Sequence, residues 1–135
     1  MSGNIEELAR AVVAMRPFVP AKDFAVSHRF YIDLGFRAEA LGENFAEMHL
    51  GPYSFLLQDY YVEDWAGNFM MHTLVSDLDA WWNHISSLDL ASRYSVQPPK
   101  APAMQPWGLT VAYVVDPSGV LWHFAQLPAR HALSS

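Results

Sequence analysis

The side chains of this chain that could do chemistry are few, and they lack a familiar catalytic spacing. None of the 135 residues is cysteine, which excludes disulfides, thiol catalysis and cysteine-ligated metal sites. No glycine-rich phosphate loop, Gly-x-Ser-x-Gly elbow or His-Glu-x-x-His motif occurs in the sequence. The remaining candidates suit binding. Arg16 could form a bidentate pair with a carboxylate or phosphate, and Trp107 could stack on a planar ligand. The alternative for Arg16 is a salt bridge to one of the 14 acidic residues.

Composition narrows the class of protein and of partner. The chain is 52% hydrophobic and 14% aromatic, too apolar for a disordered chain, and no apolar run approaches the ~18 residues of a membrane span. A net charge of −6 leaves no basic surface for phosphates and argues against nucleic acid as a partner. The acidic N-terminus does not resemble an export signal. We therefore expect a cytoplasmic protein that binds a small molecule or another protein.

The first half of the chain reads as a helix among strands. Asp23 is a good helix N-cap, apolar residues follow on one helical face, and Gly35 ends the helix. Around this helix, the pattern predicts a short N-terminal helix over 4–11 and strands over 12–19, 36–41, 45–50 and 53–58. Pro17 interrupts the first strand, which indicates an edge or a distorted strand.

The second half repeats this order. Asp77 is a second N-cap, and its helix is followed by strands over 109–115 and 120–126, with another strand over 69–75 before it. Asp77 lies 54 residues after Asp23, whereas the turn glycine Gly119 lies 68 residues after Gly51. The difference indicates an insertion, which we place in residues 92–106. With four prolines, that segment is expected to be a loop.

These patterns predict an α+β protein made of two tandem βαβββ modules. Module one covers about residues 12–60 and module two about 68–127, within a single domain over 1–135. Each helix should cover one face of its sheet. The opposite faces must then bury their side chains against each other or around a ligand, so a cleft between the sheets is expected.

Four segments carry a resemblance to a known superfamily. They are Val19-Pro-Ala-Lys-Asp23, Phe30-Tyr-Ile-Asp-Leu-Gly-Phe36, His72-Thr-Leu-Val-Ser-Asp-Leu-Asp-Ala80 and Asp116-Pro-Ser-Gly-Val-Leu-Trp-His-Phe124. The chain resembles the vicinal oxygen chelate superfamily of glyoxalases, bleomycin-resistance proteins and extradiol dioxygenases, and its bleomycin-resistance branch in particular. The resemblance implies paired sheets that curl around a U-shaped cleft, in a homodimer. The cleft lies within one chain or is shared between two.

The resemblance also implies where a metal would be bound. Metal-bearing members use the first and last strand of each module, and those positions correspond here to Arg16, Met70, Phe55 and His123. Only His123 is a suitable ligand for a divalent ion. The expected cofactor is therefore none, and these positions, with His72 and Trp107, become candidate ligand-binding residues.

A shifted register would allow a different metal site. His72 shares a strand face with Met70, and the superfamily's sheet order implies that His72 and His123 could converge. Glu47, His49 or Gln58 could complete a three-ligand site.

Three functional readings follow. The first is a metal-independent protein that binds a planar or aromatic ligand, with Arg16, His72 and His123 as polar contacts. The second is a divalent-metal-dependent lyase, isomerase or dioxygenase that uses His72, His123 and Glu47. The third is metal-free acid–base chemistry by His123 with Arg16 as electrostatic stabiliser.

Overall fold

The computed structural model describes residues 2–128 of the chain. Its helices are α1 (Ser2–Arg10), α2 (Phe24–Leu34), α3 (Glu63–Gly67), α4 (Leu78–Ser87) and α5 (Leu90–Tyr94). Its strands are β1 (Phe18–Pro20), β2 (Arg37–Gly42), β3 (Phe45–Leu50), β4 (Tyr53–Gln58), β5 (Met70–Leu74), β6 (Lys100–Met104), β7 (Thr110–Val115) and β8 (Leu121–Gln126).

The strands form two sheets with the same internal order. The N-terminal sheet has the order β1-β4-β3-β2, and the C-terminal sheet has the order β5-β8-β7-β6. β1 is parallel to β4, and β5 is parallel to β8, whereas the other neighbouring strands are antiparallel. The α+β fold of two tandem modules is thus confirmed, with α1 as the expected short N-terminal helix.

The two main helices begin where their caps predict. The Asp23 carboxylate accepts a hydrogen bond from the Val26 backbone N–H at 3.3 Å, and that of Asp77 accepts one from Ala80 at 3.0 Å. These bonds satisfy backbone donors that the first helical turn leaves unpaired. Gly35 ends α2 with a φ of 130°, a conformation that glycine adopts without strain.

The strand expected over residues 12–19 is mostly wrong. Residues 12–17 form no strand, and only Phe18–Pro20 pairs with β4. Val13 is 97% exposed and Met15 is 90% exposed, so the apolar character of this segment is not used to bury a strand face. Pro17 lacks the N–H that a longer ladder would need.

The loop expected over residues 92–106 is also wrong in part. It contains β6, and its start overlaps α5. β6 pairs only with β7 and is therefore an edge strand, where Pro102 can be accommodated because an edge strand has one unpaired side. β6 is the first of the three strands that follow the helices in the second βαβββ module.

The core lies between the helix-covered faces of the two sheets, which we call the covered faces. Phe55 of β4 and Trp122 of β8 pack with ring centroids 5.5 Å apart, and Tyr31 of α2 contacts both rings. All three side chains are 2% exposed or less. The opposite faces, which we call the open faces, therefore point away from each other within one chain. Within residues 2–128, these faces therefore neither bury each other nor enclose the cleft that the sequence predicts between the sheets.

A buried polar network joins the two modules through this core. The Tyr31 hydroxyl donates to Asp116 Oδ2 at 2.5 Å and accepts a hydrogen bond from Trp122 Nε1 at 2.8 Å. Asp116 Oδ1 also accepts the backbone N–H groups of Ser118 and Val120. Burial raises the pKa of Asp116 from its ordinary 3.8 to about 6, although the hydrogen bonds oppose that shift.

Among residues 2–128, no helix has the length and apolar character needed to cross a bilayer.

Candidate functional site

The open face of the C-terminal sheet carries a row of four polar side chains, one from each strand. His72 pairs with His123, His123 pairs with Tyr113, and Tyr113 pairs with Lys100. Directly opposed residues on neighbouring strands project from the same face of a sheet. The row therefore crosses the whole sheet, from β5 to β6.

The two imidazoles lie side by side in this row. Their Nδ1 atoms are 3.5 Å apart, and their ring centroids are 5.6 Å apart. The expected approach of His72 and His123 is thus confirmed by the strand pairing. Partial burial, and then the neighbouring His72, lower the pKa of His123 from its ordinary 6.5. Its imidazole is therefore mostly neutral at pH 7.

Aromatic rings surround His123. Trp107 stacks on it, with centroids 6.1 Å apart and planes at 29°, while the Tyr113 ring meets it edge-on at 4.9 Å. Trp107 is 52% exposed. We call His72, His123, Tyr113 and Trp107 the aromatic wall. It exposes rings and ring nitrogens to solvent, while the opposite face of the same sheet packs in the core.

A cleft of about 410 Å³ adjoins this wall. Tyr113 belongs to both the wall and the cleft. The lining residues are Gly67, Gln97, Pro98, Lys100, Tyr113, Val115, Gly119 and Leu121. Met70 pairs with Leu121 on the same open face and is 62% exposed, so this predicted residue stands beside the cleft.

Arg16 lies over the other sheet. Its Nε is 2.7 Å from Glu47 Oε2 and 3.1 Å from Ser54 Oγ, and the Ser54 hydroxyl also donates to Glu47 at 2.7 Å. The hydrogen bond from Ser54, followed by the charges of Arg16 and His49, lowers the pKa of Glu47. Arg16 thus makes the salt bridge to an acidic residue that the sequence left open as its alternative.

Glu47 belongs to a small group of possible metal ligands on that sheet. His49 Nε2 lies 3.0 Å from Glu39 Oε1 and 3.7 Å from Glu47 Oε1. One ligand atom from each of these three side chains lies within 4.8 Å of the other two. Within residues 2–128, they are the group of His, Asp and Glu side chains close enough together to hold a metal ion. The structure therefore does not bring Glu47 to His72 and His123 within one chain.

Arg16 and His123 are separated in the same way. They lie on the open faces of different sheets, which point away from each other. The acid–base pair suggested by the sequence is thus not assembled within one chain.

The prediction that Phe55 lines the cleft is wrong. Phe55 is 1% exposed and lies in the core. The residue that matches His123 is Leu56, because Leu56 pairs with Phe18 five positions before Asp23, and His123 pairs with His72 five positions before Asp77. A count from the turn glycine misses this by one residue, and a one-residue shift moves a side chain to the opposite face.

Two site residues were missed by the sequence reasoning. Tyr113 stands in a predicted strand, and the turn over residues 116–119 could have indicated that it opposes His123. Lys100 lies in the segment taken as a loop, so no local signal placed it on the sheet.

Comparison with known proteins agrees with this architecture. The sequence model of the Glyoxalase/Bleomycin resistance protein/Dioxygenase superfamily matches residues 11–124. A bleomycin-binding protein complexed with bleomycin is 25% identical, with a TM-score of 0.73 over 87% of this chain and 100% of that chain. No curated protein sequence matches this chain.

Two further solved structures share the fold at lower identity. The bleomycin-binding protein from bleomycin-producing Streptomyces verticillus, complexed with copper(II)-bleomycin, is 23% identical, with a TM-score of 0.72 over 87% of this chain and 98% of that chain. Lactoylglutathione lyase from Agrobacterium tumefaciens is 17% identical, with a TM-score of 0.61 over 85% of this chain and 94% of that chain.

The two paired βαβββ modules are the fold that these solved structures share with this chain. The family match covers most of the length of the chain. The chain belongs to the Glyoxalase/Bleomycin resistance protein/Dioxygenase superfamily.

The residues present do not fit the divalent metal site that this family implies. Of the positions that the resemblance implies, only His123 is a suitable ligand. In the shifted register, the pair His72 and His123 is matched by strand pairing to Phe18 and Leu56 of the first module, which have no donor atom. A catalytic metal ordinarily has three protein ligands, and these four positions supply two.

Proposed function

We propose that this protein binds a small planar or aromatic ligand on the aromatic wall without using a metal ion. The observation that carries the proposal is the stack of Trp107 on His123, with Tyr113 edge-on to the same imidazole. Half-exposed rings held on a sheet offer a rigid surface for offset or edge-to-face contact with another ring. The bleomycin-binding neighbours, which hold a small molecule on the same fold, support the proposal.

The donor set supports metal independence. The two imidazoles lack a third protein ligand on their own sheet, and Phe18 and Leu56 occupy the corresponding positions of the other module. A mostly neutral His123 can instead donate or accept a hydrogen bond at the edge of a bound ring.

A divalent-metal-dependent lyase, isomerase or dioxygenase is the second candidate. The Nδ1 atoms of His72 and His123 are 3.5 Å apart, which favours this function. Imidazole is a common metal ligand, so the two side chains could supply two ligands of one metal site. In that case the third ligand would have to come from outside the open face of the C-terminal sheet.

A homodimer is part of the proposal. The open faces and their edges expose large apolar side chains, including Phe18 at 52%, Met70 at 62%, Leu74 at 53% and Met104 at 63%. Exposed large apolar side chains on both sheets favour an interaction site on these faces. We expect light scattering after gel filtration to give about twice the 15.2 kDa chain mass, whereas a mass of one chain at every concentration would contradict the dimer.

The binding proposal is tested with a neutral aromatic probe, 1-N-phenylnaphthylamine, whose emission rises in an apolar site. We expect saturable binding to the chelator-treated protein and roughly fivefold to tenfold weaker binding to Trp107→Ala, since one aromatic contact is worth about 1 kcal/mol. Trp65→Ala is the matched control, because Trp65 is 63% exposed and packs on Tyr60, not on the wall. Equal affinities for all three proteins would overturn the proposal.

A further inference from the structure

The cleft beside the aromatic wall has a positive end. Within residues 2–128, its lining includes one cation, Lys100, and no carboxylate. The Lys100 side chain is exposed, and no ion pair of the described chain includes it. This contrasts with Arg16, whose guanidinium is already paired with Glu47.

Strand pairing places Lys100 two strands away from His123 of the aromatic wall. It is directly opposite Tyr113, which is directly opposite His123. Neighbouring strands are about 4.8 Å apart, so the Lys100 and His123 backbones are separated by roughly 10 Å across the sheet. That span matches two linked or fused aromatic rings lying over Tyr113.

We infer that the ligand is an aromatic acid of about two rings, whose anionic group is bound by Lys100 while its rings lie against Tyr113 and His123. This inference rests on the proposed function and adds the chemical class of the ligand. A Lys ammonium in a partly apolar cleft binds a carboxylate, sulfonate or phosphate through charge-assisted hydrogen bonds. Within residues 2–128, the cleft lining contains no Asp or Glu side chain that would oppose the anion.

The test compares two probes that share one aromatic skeleton. The anionic probe is 8-anilinonaphthalene-1-sulfonate, and the neutral probe is 1-N-phenylnaphthylamine, which lacks the sulfonate. We expect Lys100→Met to weaken binding of the anionic probe roughly tenfold and to leave the neutral probe within about twofold, because a hydrogen bond to a charged group contributes about one such factor. Lys100→Arg should restore most of the anionic probe's affinity.

The chain offers a matched control. Its other lysine is Lys22, whose ammonium lies 5.6 Å from the Tyr61 ring centroid. Lys22→Met and Lys100→Met each remove one positive charge from a chain of net charge −6, so the two variants have the same net charge. Lys22→Met should bind both probes as the unaltered protein does.

The outcomes separate the inference from the function on which it rests. Equal losses of the anionic probe in Lys100→Met and Lys22→Met, with Trp107-dependent binding of the neutral probe intact, would overturn the role of Lys100 alone. Binding of both probes that is insensitive to Trp107→Ala would instead remove the aromatic wall as the site. A loss confined to Lys100→Met and to the anionic probe supports both.

Discussion

The hydroxyl of Tyr31 should be among the most important single groups for stability, because it connects the two modules inside the core. Tyr31→Phe removes only this oxygen and keeps the ring that packs on Phe55 and Trp122. The change leaves Asp116 without a donor on Oδ2 and leaves the Trp122 indole N–H without its acceptor. Both of these partners are 2% exposed or less, so water cannot readily replace the lost bonds.

The expected cost at pH 7.5 is about 3 kcal/mol of the free energy of unfolding. The bond to an ionised carboxylate contributes about 2 kcal/mol, and the unpaired buried indole N–H adds about 1 kcal/mol. At pH 4.5 Asp116 is protonated in the folded state, since its pKa is about 6. The bond is then between neutral groups, and the total falls to about 2 kcal/mol.

Asp116 also gives the unaltered protein a pH dependence of known sign. Its folded-state pKa is raised from 3.8 to about 6, so between these values the folded state holds a proton that the unfolded state has released. Stability therefore declines as pH rises from about 4 to 6, by roughly 3 kcal/mol at 1.36 kcal/mol per pKa unit. Asp116→Asn should remove this decline.

Urea denaturation followed by far-ultraviolet circular dichroism measures both effects. Tyr53→Phe is the matched control, because Tyr53 is 76% exposed and its loss of a hydroxyl should change stability by less than about 0.5 kcal/mol. A cost for Tyr31→Phe below about 1 kcal/mol, or a cost that is the same at pH 4.5 and 7.5, would refute the network as described.

Further predictions concern the local signals that set the fold. Asp23→Ala should cost about 1 kcal/mol because the Val26 N–H loses its cap. Asp59 is exposed between β4 and α3, so Asp59→Ala should cost nothing measurable in the same urea titration. Gly119→Ala should cost about 1 kcal/mol from backbone strain at a φ of 93°. Its control is Gly67→Ala, which has no such φ and no atom within 4 Å of the added Cβ, and thermal melts should show it unchanged or slightly more stable.

The features predicted well from sequence are those encoded by nearby residues. Asp23 and Asp77 begin the two main helices because a carboxylate three residues before a free N–H is a local interaction. These caps, with the strand patterns and turn glycines that recur in the same order around them, were enough to predict two βαβββ modules. Histidines five positions before a cap and on a last strand could likewise be placed together once that order was assumed.

The features that failed depend on pairing between distant segments. Phe55 and His123 are each four residues after a turn glycine, yet they lie on opposite faces because the face is set by the register with β1 and β5. β6 was missed because Pro102 is tolerated only at a sheet edge, and which strand is an edge is a property of the whole fold. Lys100 was missed as a site residue for the same reason, because it lies in β6.

The measurement that tests the central claim most directly is the metal content of the binding-competent protein. The protein is incubated with zinc, nickel, manganese or ferrous ions, dialysed exhaustively and titrated with 1-N-phenylnaphthylamine, in parallel with chelator-treated protein and a His72→Ala, His123→Ala variant. We predict no retained metal and the same probe affinity with and without chelation. About one equivalent of metal per chain, absent from the double variant and required for binding, would contradict the account.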